Sequence, residues 1–156
     1  MINLVTSELS ILMAKNHIRR LNYLQEQTNL SWDIFNKLIN DDNITTIRLG
    51  NIVKICNILR CNVEDLVNIK YPYKPIDLVN KTHGPSNLKL LMSINDIDTI
   101  NELMRRASIS WGVTKKIQDG HYDSIELNSL IQVCFALNCK LEDLLNISYD
   151  WSEEHQ

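Results

Sequence analysis

Several features are scarce in this chain of 156 residues, and each scarcity excludes something. No apolar run approaches the roughly 18–20 residues of a membrane span, so a membrane protein is not expected. The opening MINLVTSELS lacks a basic region followed by an apolar core and does not read as a signal peptide. The expected compartment is the cytoplasm. Positive charge is not in excess: the net charge is −3. It divides as +1 over residues 1–70, +1 over 71–87, −2 over 88–147 and −3 over 148–156, which makes no basic stripe. There is no phosphate loop, nucleotide fingerprint or nucleophile elbow. His17, His83, His121 and His155 are scattered and form no constellation with a nucleophile or carboxylate. Asp41-Asp42 reads as a pair of solvated loop acids. Neither an enzyme nor a cofactor is expected.

What the chain does contain is a repeat. ELSILMAKNHIRRLNYLQEQTNLSW (Glu8 to Trp32) is answered by NLKLLMSINDIDTINELMRRASISW (Asn87 to Trp111), and KICNILRCNVEDLVNI (Lys54 to Ile69) by QVCFALNCKLEDLLNI (Gln132 to Ile147). Such a repeat fixes the architecture before any local reading. The offset is 79 at Ser31-Trp32/Ser110-Trp111 and 78 at Cys56/Cys134. A one-residue gap therefore lies near Asn40–Asn43, where a loop tolerates it and a helix does not. Each unit has roughly 60–65 residues, near the lower limit for folding alone. With 44% apolar and 22% charged residues, the chain is globular.

Each unit reads as four or five short helices with no convincing strand. Leu9, Leu12 and Met13 recur as Leu88, Leu91 and Met92, an i, i+3, i+4 face. A second helix carries Leu21 and Leu24, or Ile100 and Leu103. Thr99 with Glu102 is a capping-box signal that Arg20 lacks in the first copy. After a tight break, Ser31 and Ser110 are expected N-caps. The third helix is expected to turn Leu30, Ile34 and Leu38 inward, as Ile109, Val113 and Ile117 in the second copy. A fourth apolar helix follows. Glu64-Asp65-Leu66 and Glu142-Asp143-Leu144 suit the first turn of a short fifth helix. The expected organisation is unit 1 over 1–70, a linker over 71–87, unit 2 over 88–147 and an acidic tail over 148–156. Three prolines and a Gly-Pro pair exclude helix from the linker. Its Tyr71, Tyr73, Ile76, Leu78 and Val79 predict packing across a domain surface, and Trp151 offers the tail a way to dock.

A helix, a three-residue turn and a second helix inside five short helices resembles the phage-repressor (Cro-like) helix-turn-helix layout. KICNILRCNVEDLVNI, QVCFALNCKLEDLLNI and ISWGVTKKIQDG are similar in wording to that family, and the likeness covers nearly all of both units. It implies an all-α fold of two tandem five-helix domains, and double-stranded DNA as partner. It also implies a third helix that enters the major groove, presenting Trp32, Asp33, Asn36 and Lys37, or Trp111, Gly112, Lys115 and Lys116. Lysine can meet phosphate or guanine, and asparagine can pair with adenine. The family commonly places a phosphate-holding Gln where this chain has Leu21 and Ile100. Arg19, Arg20 and Arg48 could substitute in unit 1, where unit 2 has Asp98, Thr99 and Glu126; with Lys15 and Lys37 they would position unit 1, as Lys115, Lys116 and His121 would unit 2. His121 lies in a loop the family often turns to phosphate. Unit 1 is the better DNA-binding candidate.

Trp32 and Trp111 share one position on a face that ought to be wet. Each indole folds back over its own unit or the linker, anchors a protein contact, touches DNA, or buries its counterpart with the two units face to face through their third helices. Cys56/Cys61 and Cys134/Cys139 repeat as C-x4-C, which is not the usual zinc spacing. Buried core thiols are expected, with no metal. Two functions stay open. One is a DNA-binding transcriptional regulator whose two units act as a pseudo-dimer or dimerise further. The other is a protein-binding module, such as an antirepressor or an inhibitor of a host or phage factor, that kept the fold without DNA.

Overall fold

Left-handed residues punctuate the backbone, and they repeat with the sequence. Among the described residues, His17, Asn29, Asp41 and Arg60 have positive φ, and so do Asp96, Ser108, Gly120 and Asn138 at the equivalent positions. A side chain in this region costs about 1–2 kcal/mol, so each is held by the helix it ends. In this computed structural model, which describes residues 4–151, these stops divide each unit into five α-helices. Unit 1 holds α1 (Leu9–Lys15), α2 (Leu21–Thr28), α3 (Trp32–Asn40), α4 (Leu49–Leu59) and α5 (Val63–Leu66). Unit 2 holds α6 (Leu88–Ile94), α7 (Ile100–Ala107), α8 (Trp111–Asp119), α9 (Leu127–Leu137) and α10 (Leu141–Leu144). The gap in the repeat falls in the loop after α3, where Asp42 and Asn43 stand against His121 alone.

In unit 1, α2 packs on α4 and α3 packs on both α1 and α2; in unit 2, α7 packs on α8 and α9. Leu24, Phe35, Leu49 and Ile52 are fully buried, as are Leu103, Ile117, Leu127 and Leu130. Each such side chain contributes about 1.5–3 kcal/mol on burial. Leu30, Leu38 and Ile117 are buried as expected, but the deepest positions of the third helices also include Phe35 and Thr114, which were not expected inward. Phe35 and Leu38 face the core while Ile34 is only half-buried; in α8 the core residues are Thr114 and Ile117, and Ile109 and Val113 are half-buried. The inward face follows the i, i+3 pair that meets the neighbouring helices. Thr114 survives there because its hydroxyl donates to the Ser110 carbonyl at 3.2 Å.

Three local expectations need correction or refinement. Unit 1 does contain strand: β1 (Val5–Ser7) pairs antiparallel with β2 (Val67–Ile69). Each strand has only three residues, too few to display alternation. Unit 2 keeps a single bridge, Ser86 to Leu145. Ser110 accepts from the Val113 amide at 3.3 Å, but Ser31 makes no side-chain cap. Thr99 accepts from the Glu102 amide at 3.1 Å, while the Glu102 carboxylate turns to Arg106 at 2.7 Å.

Segments outside the two helical cores complete each unit. Unit 1 comprises the chain up to Lys70 and the segment beginning at Ser148; unit 2 comprises Tyr71–Ile147. In unit 2, the Tyr71 hydroxyl accepts from the Leu141 amide at 2.9 Å, and Tyr73 donates toward the carbonyls of Cys134 and Cys139 at 2.9 and 2.8 Å. Both rings lie against Phe135. In unit 1, Tyr149 accepts from the Val63 amide at 2.9 Å. The Trp151 indole donates to the Cys61 carbonyl at 3.2 Å and stacks on Tyr149. Val63 and Leu141 open the short fifth helices, whose first amides have no intrahelical partner. Residues 148–151 of the tail are therefore docked on α4 and α5; its remaining residues lie outside the described ones. Buried Asn87 closes unit 2 by donating to Asp143 and Asn146 and accepting from Thr82.

Candidate nucleic-acid interface

α3 presents Trp32, Asp33 and Asn36 on its exposed side, and α8 presents Trp111, Gly112, Lys115 and Lys116. Each helix follows a left-handed stop, Asn29 or Ser108, so its N-terminus projects from the preceding helix through a three-residue turn. The indoles do not fold fully inward. Trp32 is 44% exposed and Trp111 59%. The difference lies beneath them: the Trp32 ring leans on Phe35 at 6.1 Å, whereas the equivalent residue of unit 2 is the smaller Thr114. Asn36 is exposed, with its amide available to a base edge.

The lysines are less available than their spacing suggests. Lys37 binds Asp33 at 3.1 Å and donates to the Thr46 hydroxyl at 3.0 Å. Lys116 donates to the Ser124 hydroxyl at 3.1 Å. Thr46 and Ser124 are repeat equivalents in the 3-10 turns Ile44–Thr46 and Tyr122–Ser124, so both lysines act as struts from the third helix to the next turn. Lys115 pairs with Asp119 at 3.4 Å. These exposed pairs are weak, worth about 0–1 kcal/mol, and a phosphate could draw the lysines away.

Arg48 is exposed at the N-cap of α4, and Glu126 occupies that place on α9. Arg19 and Arg20 are exposed before α2, where unit 2 has Asp98 and Thr99. Leu21 and Ile100, at the missing clamp position, are half-buried. His121 is exposed in the loop after α8. The structure thus brings Trp32, Asn36 and Lys37 onto one helix, and gathers Arg19 and Arg20 with Lys15, His17 and Arg60 around a cleft of about 710 Å³. Sequence reasoning missed Arg60, which follows the far end of α4. The signal was its equivalent, Asn138, a neutral residue at the same helix stop. Arg105 and Arg106, exposed on α7, were also overlooked; Arg106 is held by Glu102.

The four cysteines are buried and form no disulfide. No group of three or more His, Cys, Asp or Glu that could hold a metal occurs among the described residues. Within them, no helix is long and apolar enough to cross a membrane.

Two helix-turn-helix units with exposed third helices define the class to which this fold belongs. The chain is a member of the Cro/C1-type helix-turn-helix DNA-binding domain family, whose model matches it twice, over residues 8–71 and 87–150. No curated protein and no solved structure matches the chain significantly.

Proposed function

We propose that the protein is a DNA-binding transcriptional regulator in which unit 1 makes the leading contact. The observation that carries this reading is the set of exposed arginines at the N-terminal ends of α2 and α4. Arg19, Arg20 and Arg48 have no carboxylate partner among the described residues, whereas unit 2 offers Asp98, Thr99 and Glu126 at the same places. Arginine at these positions meets phosphate and fixes register; Asn36, and Lys37 once released from Asp33, would reach base edges. Asp33 restricts the choice, since it can only accept, for example from cytosine. In unit 2, Lys115, Lys116 and His121 supply a weaker, supporting contact. Trp32 would meet a sugar or a thymine methyl. Trp111, more exposed and unsupported by a ring, fits a protein contact; this favours a second reading of unit 2 as a protein-binding module.

Binding to random-sequence duplex DNA as salt rises from about 50 to 200 mM tests the reading. A regulator gives log K falling with log salt at a slope of about −0.9 per phosphate contact. No binding at the lowest salt overturns it.

A further inference from the structure

The turn between the first two helices has the same shape in both units and the opposite charge. His17 and Asp96 are the equivalent left-handed residues, at φ 58° and 56°. In unit 1, Lys15, His17, Arg19, Arg20 and Arg60 surround a cleft of about 710 Å³ floored by Ile18, Ile58 and Tyr23. The equivalents of His17, Arg19 and Tyr23 in unit 2 are Asp96, Asp98 and Glu102. Asp96 and Asp98 are exposed and have no ion pair among the described residues. Glu102 is held by Arg106, and Lys89 borders the shallow depression beside Asp98 without pairing. The inversion continues at the far end of the second helix, where Glu26 stands against Arg105.

We propose that the acidic turn of unit 2, centred on Asp96 and Asp98, docks in the basic cleft of unit 1 of a second copy of this chain. Each chain carries one surface of each sign, so the contact is head-to-tail and either closes between copies or extends. Charge complementarity selects this occupant. A carboxylate-bearing turn meets cations at the cleft rim, and Ile97, buried beneath the acidic turn, keeps that turn rigid. The contact is electrostatic and yields to salt, because exposed charges are screened beyond about 8 Å at physiological ionic strength. Arg19 and Arg20 also serve the DNA reading above, so a duplex would compete with the second copy. That competition rests on the DNA reading; the self-association does not.

The test is sedimentation velocity on the full chain without DNA, at about 20 mM and about 300 mM salt. Concentration-dependent association is expected at low salt and its loss at high salt. Reversing the cleft (Arg19→Asp with Arg20→Asp) weakens association about ten-fold or more, and so does reversing the turn (Asp96→Lys with Asp98→Lys). Mixing the two variants restores it, because each then supplies the sign the other lacks. The milder Arg19→Ala with Arg20→Ala is run beside them, with unfolding temperature confirming that each variant is folded. A chain that stays monomeric at low salt overturns the proposal. So does association that survives both reversals, or a mixture that fails to recover. If DNA binds and no self-association is seen, the DNA reading stands and this one fails.

Discussion

The third helix of unit 1 rests on Phe35 and that of unit 2 on Thr114, at the same position of the same fold. Phe35 is fully buried and supports the Trp32 ring above it; Thr114 is 1% exposed and leaves Trp111 the more open. At the starts of the second and fourth helices unit 1 displays Arg19, Arg20 and Arg48 where unit 2 displays Asp98, Thr99 and Glu126. Most apolar core positions and the left-handed conformation of the four shared stops have been kept across the duplication, although the residues at those stops differ, because such stops and apolar faces are needed to build either unit. Surface residues cost little to change, and they have drifted to opposite sign. The difference teaches that one scaffold serves two surfaces.

The comparison can be broken at the core first. Phe35→Ala should cost about 3–5 kcal/mol, whereas Thr114→Ala removes a methyl and one hydrogen bond and should cost about 1–2 kcal/mol. Denaturant unfolding read by amide exchange in each unit checks both; equal costs would mean that the two third helices are supported alike. The next effect is at the stop after the third helix. Gly120 has φ 81°, and an added Cβ would lie 2.6 Å from the Pro85 Cβ. Gly120→Ala should cost about 2–4 kcal/mol through strain and overpacking. Its unit 1 equivalent, Asp41, already carries a side chain in this conformation and accepts from the Ser7 amide at 2.7 Å. Asp41→Ala should lose only about 1 kcal/mol.

The aromatic arms sharpen the comparison in another way. Tyr149→Phe removes the acceptor for the Val63 amide and should cost about 1–2 kcal/mol. Although Tyr149 follows unit 2 in sequence, the exchange rates that rise should be those of unit 1, beginning at Val63. Tyr71→Phe should act on unit 2 at Leu141 to a similar extent. Loosening of the opposite unit in either variant would contradict the assignment of these segments. The smallest effect concerns Ser108 and Asn29, the equivalent left-handed stops before the third helices. Ser108→Gly should stabilise unit 2 by about 0.5–1 kcal/mol, and Asn29→Gly should gain less, because asparagine tolerates this conformation better than serine. Thermal unfolding reads both.

Much of this was legible in the sequence. The repeat, its gap and the helix spacing located all ten helices, because apolar periodicity and polar stops are local signals. The deeper burial of Phe35 over Ile34 was not legible, since both are apolar and only the neighbouring helices decide between them. Strands β1 and β2 are held by pairing across sixty residues of intervening chain and leave no local pattern. The packing of the arms was legible from their aromatic residues, but sequence reasoning missed their equivalence: Tyr71 and Tyr73 stand at the same offset of 78 from Tyr149 and Trp151 as the cysteines do from theirs. At the candidate site, the exposed positions of α3 followed from spacing. The Asp33–Lys37 pair also follows from i, i+4 spacing, but the tether of Lys37 to Thr46 does not, because it depends on where the next turn returns.

On the function proposed above, the DNA-contacting surface belongs to unit 1. Salt titration of duplex binding by paired variants tests it most directly, with Arg48→Ala and Asn36→Ala in unit 1 set against Glu126→Ala and Lys115→Ala in unit 2. Loss of the Arg48 phosphate contact should reduce the magnitude of the salt slope by about 1, and loss of Asn36 should weaken specific binding by about 1–3 kcal/mol. The unit 2 pair should change the slope by less, about 0.5 or under, because loss of the supporting Lys115 contact is offset by removal of the Glu126 charge that repels phosphate. Equal losses from both pairs, or a loss confined to unit 2, would contradict the account.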